Sequence, residues 1–268
     1  MAVGHALISG GSSGIGLALA QRLAHDGWSL SLLARDPGRL ATAREALLAA
    51  GAARCETHAV DVADAAAAHA AVAAATAALG TPDRVILSAG LALPQYFERL
   101  EQDDFRRLMQ VNYFGTLHVI RAALPAMRER KRGHLVLVSS GAGLVGLYGY
   151  AAYSPTKFAV RGLAEVLRAE LRADGIGVSV VFPPDTDTPQ LAAEERTKPA
   201  ETRAIAGAAK VWSADAVARV TLRGVERGRF YITPGWEMTA LGALHSLLRV
   251  PLQYWFDRLA RRARPARG

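Results

Sequence analysis

Tyr153 and Lys157 stand four residues apart in a helix-like stretch, a spacing that puts both side chains on one face. A phenol ordinarily keeps its proton until about pH 10. A neighbouring ammonium favours the phenolate and brings such a group into range as a general acid or base. Ser140 ends a strand-like segment thirteen residues earlier, where its hydroxyl can hold a substrate carbonyl. A tyrosine and a lysine at this spacing are common in helices, and the pair says little alone. With Ser140 it would support proton transfer at a carbonyl or alcohol oxygen.

A second group of residues supplies the partner for that chemistry. Ser9-Gly10-Gly11-Ser12-Ser13-Gly14-Ile15-Gly16 follows the first strand-like run and leads into a helix. Glycines there permit a tight turn and let backbone N–H groups approach a pyrophosphate, while the helix N-terminus adds partial positive charge. The second strand ends in Leu33-Ala34-Arg35, where an NAD site usually carries an acid for the ribose hydroxyls. Arg35 can instead pair with a 2′-phosphate through its planar fork, which predicts NADPH/NADP+ as cofactor. Asp61-Val62 follows the third strand, where a carboxylate can accept the adenine amino group. Ser88-Ala89-Gly90 follows the fourth, where Ala89 and Gly90 let a cofactor lie close to the backbone. Together the two groups describe a carbonyl reductase, with hydride from a nicotinamide and a proton from Tyr153.

The elements that must position these residues alternate between strand and helix. Strands are predicted over 3–9, 28–34, 54–60, 84–88, 134–139 and 177–182, with a short last one over 229–233. Helices are predicted over 14–25, from the second strand to 50, over 63–79, over 103–130 in two pieces, and over 152–174 and 214–227. The alanine-rich third helix is scaffold, since alanine is the strongest helix former. Pro155 falls in a first turn, where its missing N–H costs little. This alternation predicts an α/β fold, a Rossmann-type doubly wound parallel sheet flanked by helices. The Pro- and Thr-rich stretch 183–210 interrupts it and has the length of a functional lid. Residues 1–235 form the dinucleotide-binding catalytic domain in this reading, and 236–268 a basic amphipathic extension.

Read together, these residues resemble the short-chain dehydrogenase/reductase family. Its glycine motif falls on Gly10, Gly14 and Gly16, and its catalytic serine, tyrosine and lysine on Ser140, Tyr153 and Lys157. The resemblance implies a fourth catalytic residue, an asparagine on the preceding helix, at Asn112 in Gln110-Val111-Asn112. In the family that asparagine helps hold a water leading to the lysine, forming a proton relay. The cofactor contacts it implies include Ser12, Ser13 and Ile15, then Tyr153 and Lys157 themselves. Pro183, Thr186 and Thr188 complete them, Thr188 falling where the family's threonine meets the nicotinamide amide. A homo-oligomer is implied too, because members often pair through the helices carrying Asn112 and Tyr153. The chain departs from the commonest pattern at Ser9 (usually threonine), Ser88 (often asparagine) and Pro184 (usually glycine).

Pro183-Pro184-Asp185-Thr186-Asp187-Thr188-Pro189, Glu195-Arg196-Thr197-Lys198-Pro199 and Glu201-Thr202-Arg203, with Tyr148-Gly149-Tyr150, narrow the resemblance. They are similar to the branch of the family that reduces 3-ketodihydrosphingosine with NADPH, which implies a long-chain keto-amine lipid substrate. Other bulky ketones, such as a steroid or a 3-ketoacyl lipid, are the alternatives within the class. A non-catalytic NADP-binding regulator at a membrane is the alternative outside it. Such proteins often lose the tyrosine or the lysine, and both are present here.

The end of the chain bears on the substrate. Leu241, Leu244, Leu248, Leu252, Trp255 and Leu259 recur at three- and four-residue intervals, a helical stripe. From Arg249 onward there are six arginines against one acid, Asp257, so much of the net charge of +8 belongs to this tail. A basic amphipathic helix with Tyr254, Trp255 and Phe256 suits an anionic membrane surface. It equally suits docking on its own domain or on a partner subunit. His245, Arg249 and Pro251 interrupt it, and a span needs about 20 apolar residues. Pro251 is expected to kink the helix. No nucleic-acid module accompanies the arginines. Cys55 is the sole cysteine, so no intrachain disulfide forms, and the histidines lack metal-ligand spacing. No signal-peptide pattern precedes the first strand, so the expectation is a cytoplasmic protein, peripheral on the cytoplasmic face of a membrane.

Overall fold

The computed structural model describes residues 3–206 and 210–263, without the side chains of 206, 245–250 and 252. The chain opens with strand β1 (His5–Ser9), helix α1 (Gly14–His25), β2 (Ser29–Ala34), α2 (Pro37–Ala49), β3 (Arg54–Ala59) and α3 (Ala65–Leu79). β4 (Arg84–Leu87), α4 (Gln102–Met109), α5 (Gly115–Arg130), β5 (Gly133–Val138), α6 (Ser154–Glu170) and β6 (Ile176–Val181) follow. Then come β7 (Thr186–Asp187), α7 (Pro189–Glu194), α8 (Ala200–Ala206), β8 (Trp212–Ser213), α9 (Ala214–Glu226), β9 (Tyr231–Ile232) and α10 (Trp236–Ala263).

Seven strands form one parallel sheet in the order β3-β2-β1-β4-β5-β6-β9. Successive residues of a strand point to opposite faces, so β1 feeds two cores at once. Leu7 packs with Leu33, Leu87 and Leu137 under α3, α5 and α6. Ile8 packs with Leu32, Ile86 and Val136 under α1, α2 and α9. Both faces are covered, which is why the strands read as continuous apolar runs. The doubly wound sheet expected from the sequence is therefore the one observed.

Local chemistry sets the helix starts. Asp36 caps α2 by accepting from the Arg39 N–H, and Pro37 follows at the first helical position. Asp64 caps α3 through the Ala66 and Ala67 N–H groups. Two expectations are refined. The break predicted within 103–130 is a π-helical turn, Gln110–Phe114, that joins α4 to α5 without leaving the helix. The stretch 183–210 is no bare loop, since β7, α7 and α8 lie in it and β7 pairs with β8.

α10 begins against the domain: Leu241 packs against the core, and the helix contacts α8. The helix runs on through Pro251. Trp236, Leu244, Tyr254 and Trp255 are exposed along it, Tyr254 to 72%. Leu248, Arg249 and Leu252 lie outside the residues whose side chains are described. Among the described residues no helix is long and apolar enough to cross a membrane.

Candidate active site

The strand order reverses between β1 and β4, and a doubly wound sheet opens a crevice at such a point beyond its carboxyl ends. Two adjoining cavities of about 480 and 540 Å³ lie there, with Gly10, Ser13, Arg39, Ala89, Gly90 and Leu91 in both walls. Every catalytic or cofactor residue expected from the sequence lines one or both, except the buried Gly16 and Asn112.

Backbone sterics explain the glycine turn. Gly10 has φ +73°, and a Cβ there would come 2.7 Å from the Ala89 backbone nitrogen. A Cβ on Gly16 would come 2.3 Å from the Gly10 carbonyl oxygen. Both obstacles are backbone, so no side-chain movement relieves them. The turn can therefore tuck under β4 and carry the start of α1 to the cavity edge. Ser13 makes no side-chain bond to the first turn of α1, which leaves that turn's amides pointing toward whatever anion the crevice holds. The cradle fits a dinucleotide pyrophosphate.

In the second cavity Arg35 and Arg39 stand at the end of β2 and in the first turn of α2, with Asp61 and Val62 opposite. Arg39 carries no motif, although its place four residues after Arg35 is a signal the sequence offered. Asp36, the acid nearest the ribose position, is spent on capping α2 and lies 3.6 Å from Arg39.

In the first cavity Ser140, Tyr153 and Lys157 come together as their spacing predicts. Tyr153 ends the turn ahead of α6 and Lys157 occupies its first turn, both buried, at 7% and 6% exposure. The side chains of Ser140 and Gln190 neighbour the Tyr153 hydroxyl and favour its ionised form. Lys157 Nζ donates to the Val138 carbonyl at 3.0 Å and lies 5.6 Å from the centre of the Tyr153 ring. Burial lowers Lys157 to about 8. Burial, with the Glu194 carboxylate next, pushes Tyr153 well above the ordinary phenol value. This corrects the expectation that the ammonium would set the phenol's acidity: without ligand, desolvation outweighs it.

Asn112 sits in the π-helical turn. Its Nδ2 donates to the Leu91 carbonyl and the Thr156 hydroxyl, and its Oδ1 accepts from the Leu91 N–H at 2.7 Å. The side chain thus ties the edge of the crevice to the helix that carries Lys157. Thr188 caps α7 by accepting from the Leu191 N–H and packs its methyl over Gly14. Thr186 donates to the Pro184 carbonyl, and Pro183 lines the same wall.

The segment after β6 folds back as a lid held by tyrosines. Tyr150 donates to Glu194 at 2.7 Å, while Tyr96 and Tyr148 both donate to the buried Glu201. Thr202 donates to the Tyr148 carbonyl. Tyr148-Gly149-Tyr150 is thus the platform on which the lid docks. Gln190 and Glu194 line the cavity beside Tyr153, and no motif marks them in the sequence.

A family profile described as short chain dehydrogenase matches residues 4–199. The chain belongs to that family, and is an oxidoreductase of it. It is 39% identical over 246 residues to a 3-dehydrosphinganine reductase from Danio rerio, covering 90% of this chain and 74% of that one. Among solved structures, a short-chain dehydrogenase/reductase from Burkholderia phymatum in complex with NAD superposes with a TM-score of 0.82 and 28% identity, over 94% of this chain and 95% of that one. A short-chain dehydrogenase from Sphingobium yanoikuyae in complex with NADPH superposes with a TM-score of 0.80 and 25% identity, over 99% and 98%.

Proposed function

We propose that this chain reduces the ketone of 3-ketodihydrosphingosine, a long-chain 2-amino ketone, to the alcohol with NADPH. The observation that carries the reading is the meeting of the Ser140 and Tyr153 hydroxyls in a walled cavity that adjoins a dinucleotide cradle. The likeness to a 3-dehydrosphinganine reductase over most of both chains supports the substrate.

Bound along the crevice, the reduced nicotinamide supplies hydride. The chain's own residues do the rest. Ser140 and Tyr153 direct two hydroxyls at one carbonyl oxygen, orienting it and polarising it. Tyr153 keeps its proton through the neutral range because burial disfavours the phenolate, so it enters reduction in the acid form. An alkoxide is a stronger base than a phenolate, so the proton moves from Tyr153 to the reduced oxygen. Lys157, close to the ring, stabilises the phenolate that results. Asn112 positions the crevice edge against α6.

Oxidation of NADPH by purified protein with 3-ketodihydrosphingosine in mild detergent tests the reading. Turnover that requires both the lipid and Tyr153 supports it. No turnover with NADPH still bound removes this substrate and leaves steroids and 3-ketoacyl lipids. Arg35 and Arg39 favour the 2′-phosphate, so Arg35→Ala raises the KM for NADPH about tenfold and leaves that for NADH nearly unchanged. Equal changes for both cofactors would remove that assignment.

The second half of α10 fits the same substrate. Tyr254 and Trp255 are exposed, and Arg258, Arg261 and Arg262 project among them, which suits an anionic lipid surface. Co-sedimentation with phosphatidylserine-containing vesicles is expected, lost on neutral vesicles and weakened by salt. Vesicle-independent self-association through α10 would assign the helix to a partner subunit.

A further inference from the structure

Glu194 is a carboxylate in the wrong company for a structural residue. It is 8% exposed, at the end of α7, and lines the cavity beside Tyr150 and Tyr153. Its two oxygens accept from the Tyr150 hydroxyl at 2.7 Å and the Gln190 amide at 3.0 Å. Both donors are neutral. Among the described residues no lysine, arginine or histidine nitrogen stands within 4.0 Å of it. Lys198, a nearby buried cation, pairs with Glu195 at 2.5 Å and Asp185 at 3.9 Å, and it and Lys157 act on Glu194 only from beyond ion-pair distance.

A buried carboxylate is costly unless a positive charge faces it. Asp185 lines the same cavity, as do Arg39, Lys157 and Arg196, and none of these cations forms an ion pair with Glu194 among the described residues. The distance from the reacting centre is also telling. Gln190 donates to Glu194 and also acts on the Tyr153 hydroxyl, so one side chain stands between the carboxylate and the proton donor. In a 2-amino ketone, one carbon separates the ammonium nitrogen from the carbonyl carbon.

We infer that Glu194 recognises the ammonium group of the substrate, making this site selective for ketones that carry a cationic amine on the adjacent carbon. The inference rests on the reductase reading above and names the specificity-determining residue within it. Tyr150 and Gln190 are positioning residues that hold the carboxylate toward the cavity. An ammonium placed there would offset the negative charge that discourages Tyr153 from releasing its proton, so the correct substrate would also ready the acid.

The test compares 3-ketodihydrosphingosine with its deamino analogue, a 1-hydroxy-3-ketone of the same chain length, in wild type and Glu194→Gln. Wild type is expected to prefer the amino ketone about 100-fold in kcat/KM, in the range charged pairs give at desolvated sites. Glu194→Gln is expected to collapse that preference to within about threefold. Loss of activity by the same factor on both ketones would make Glu194 a lid fastener and overturn the inference. A wild-type arm covers a variant that misfolds: dihydrosphingosine must inhibit at least ten times better than its deamino diol, and equal inhibition would overturn the inference. Wild type that turns over both ketones equally overturns it while leaving the reductase reading intact. Wild type that turns over neither, with NADPH bound, overturns the reading and with it the inference.

Discussion

Tyr153→Phe is expected to lower kcat for ketone reduction about 10³-fold, the middle of the range for loss of a positioned acid, with NADPH affinity held within about twofold. The substitution removes one oxygen and keeps the ring, and the ring is what packs. Tyr153 lies in an apolar cluster with Leu108, Tyr150 and Ala152, its ring 5.6 Å from that of Tyr150. What is lost is the interaction of the hydroxyl with the neighbouring Ser140 and Gln190 side chains. Both partners are flexible polar side chains on a cavity wall, so stability should fall by no more than about 1 kcal/mol. A kcat deficit under tenfold, measured in single turnover so that product release does not mask chemistry, would move the proton donor elsewhere. The same variant titrated with NADPH by fluorescence separates loss of chemistry from loss of the cradle.

Much of this site can be read in the sequence because its parts are local. The glycine turn needs only a strand, eight residues and a helix in succession. Tyr153 and Lys157 share a face through the helical repeat alone. Ser140 is placed by the end of β5. The sheet order follows from alternating elements and short connections. What the sequence leaves dark is brought in by tertiary folding or decided by environment. Glu194 reaches Tyr153 only because the segment after β6 folds back onto Tyr148 and Tyr150. Those contacts span about 50 residues and follow no periodicity. Asp36 shows the converse. An acid after β2 invites a ribose reading, and the structure spends it as a helix cap.

The break in the helix around Asn112 has a similar origin. Gln110–Phe114 contains neither glycine nor proline, so nothing local announces a π-helical turn there. The turn becomes intelligible once Asn112 is seen bonded to Leu91, in the loop ahead of α4, and to Thr156, in α6. Proton affinity is the other hidden quantity. Spacing places an ammonium near a phenol, and burial decides where each titrates. For Tyr153 that decision ran against the expectation from charge alone.

Lys157→Met should separate activity from stability through pH. Lys157 is lowered from an ordinary 10.5 to about 8 in the folded chain, so between those values the unfolded chain binds the extra proton. Stability therefore rises with pH across that window, by roughly 3 kcal/mol from this group alone. Below pH 8 both states carry the charge, and the full cost of burying it is present. Cys55, pushed up to about 11 by burial, works against the rise from pH 9 upward, and Tyr153 does so above its ordinary value. Both contributions remain in the variant and drop out of the difference. The unfolding free energy of cofactor-free wild type minus that of Lys157→Met should thus climb between pH 8 and 10 and stay flat from pH 6 to 7.5, as followed by urea denaturation. Catalysis should run the other way. Wild-type reduction should decline as pH rises through about 8, because the neutral amine no longer stabilises the phenolate left on Tyr153. The variant should be slower by about 10² at neutral pH and lack that decline. A stability difference that already climbs steeply between pH 6 and 7.5 would mean that Lys157 is not charged when buried, and the ammonium would lose its place in the proposed chemistry.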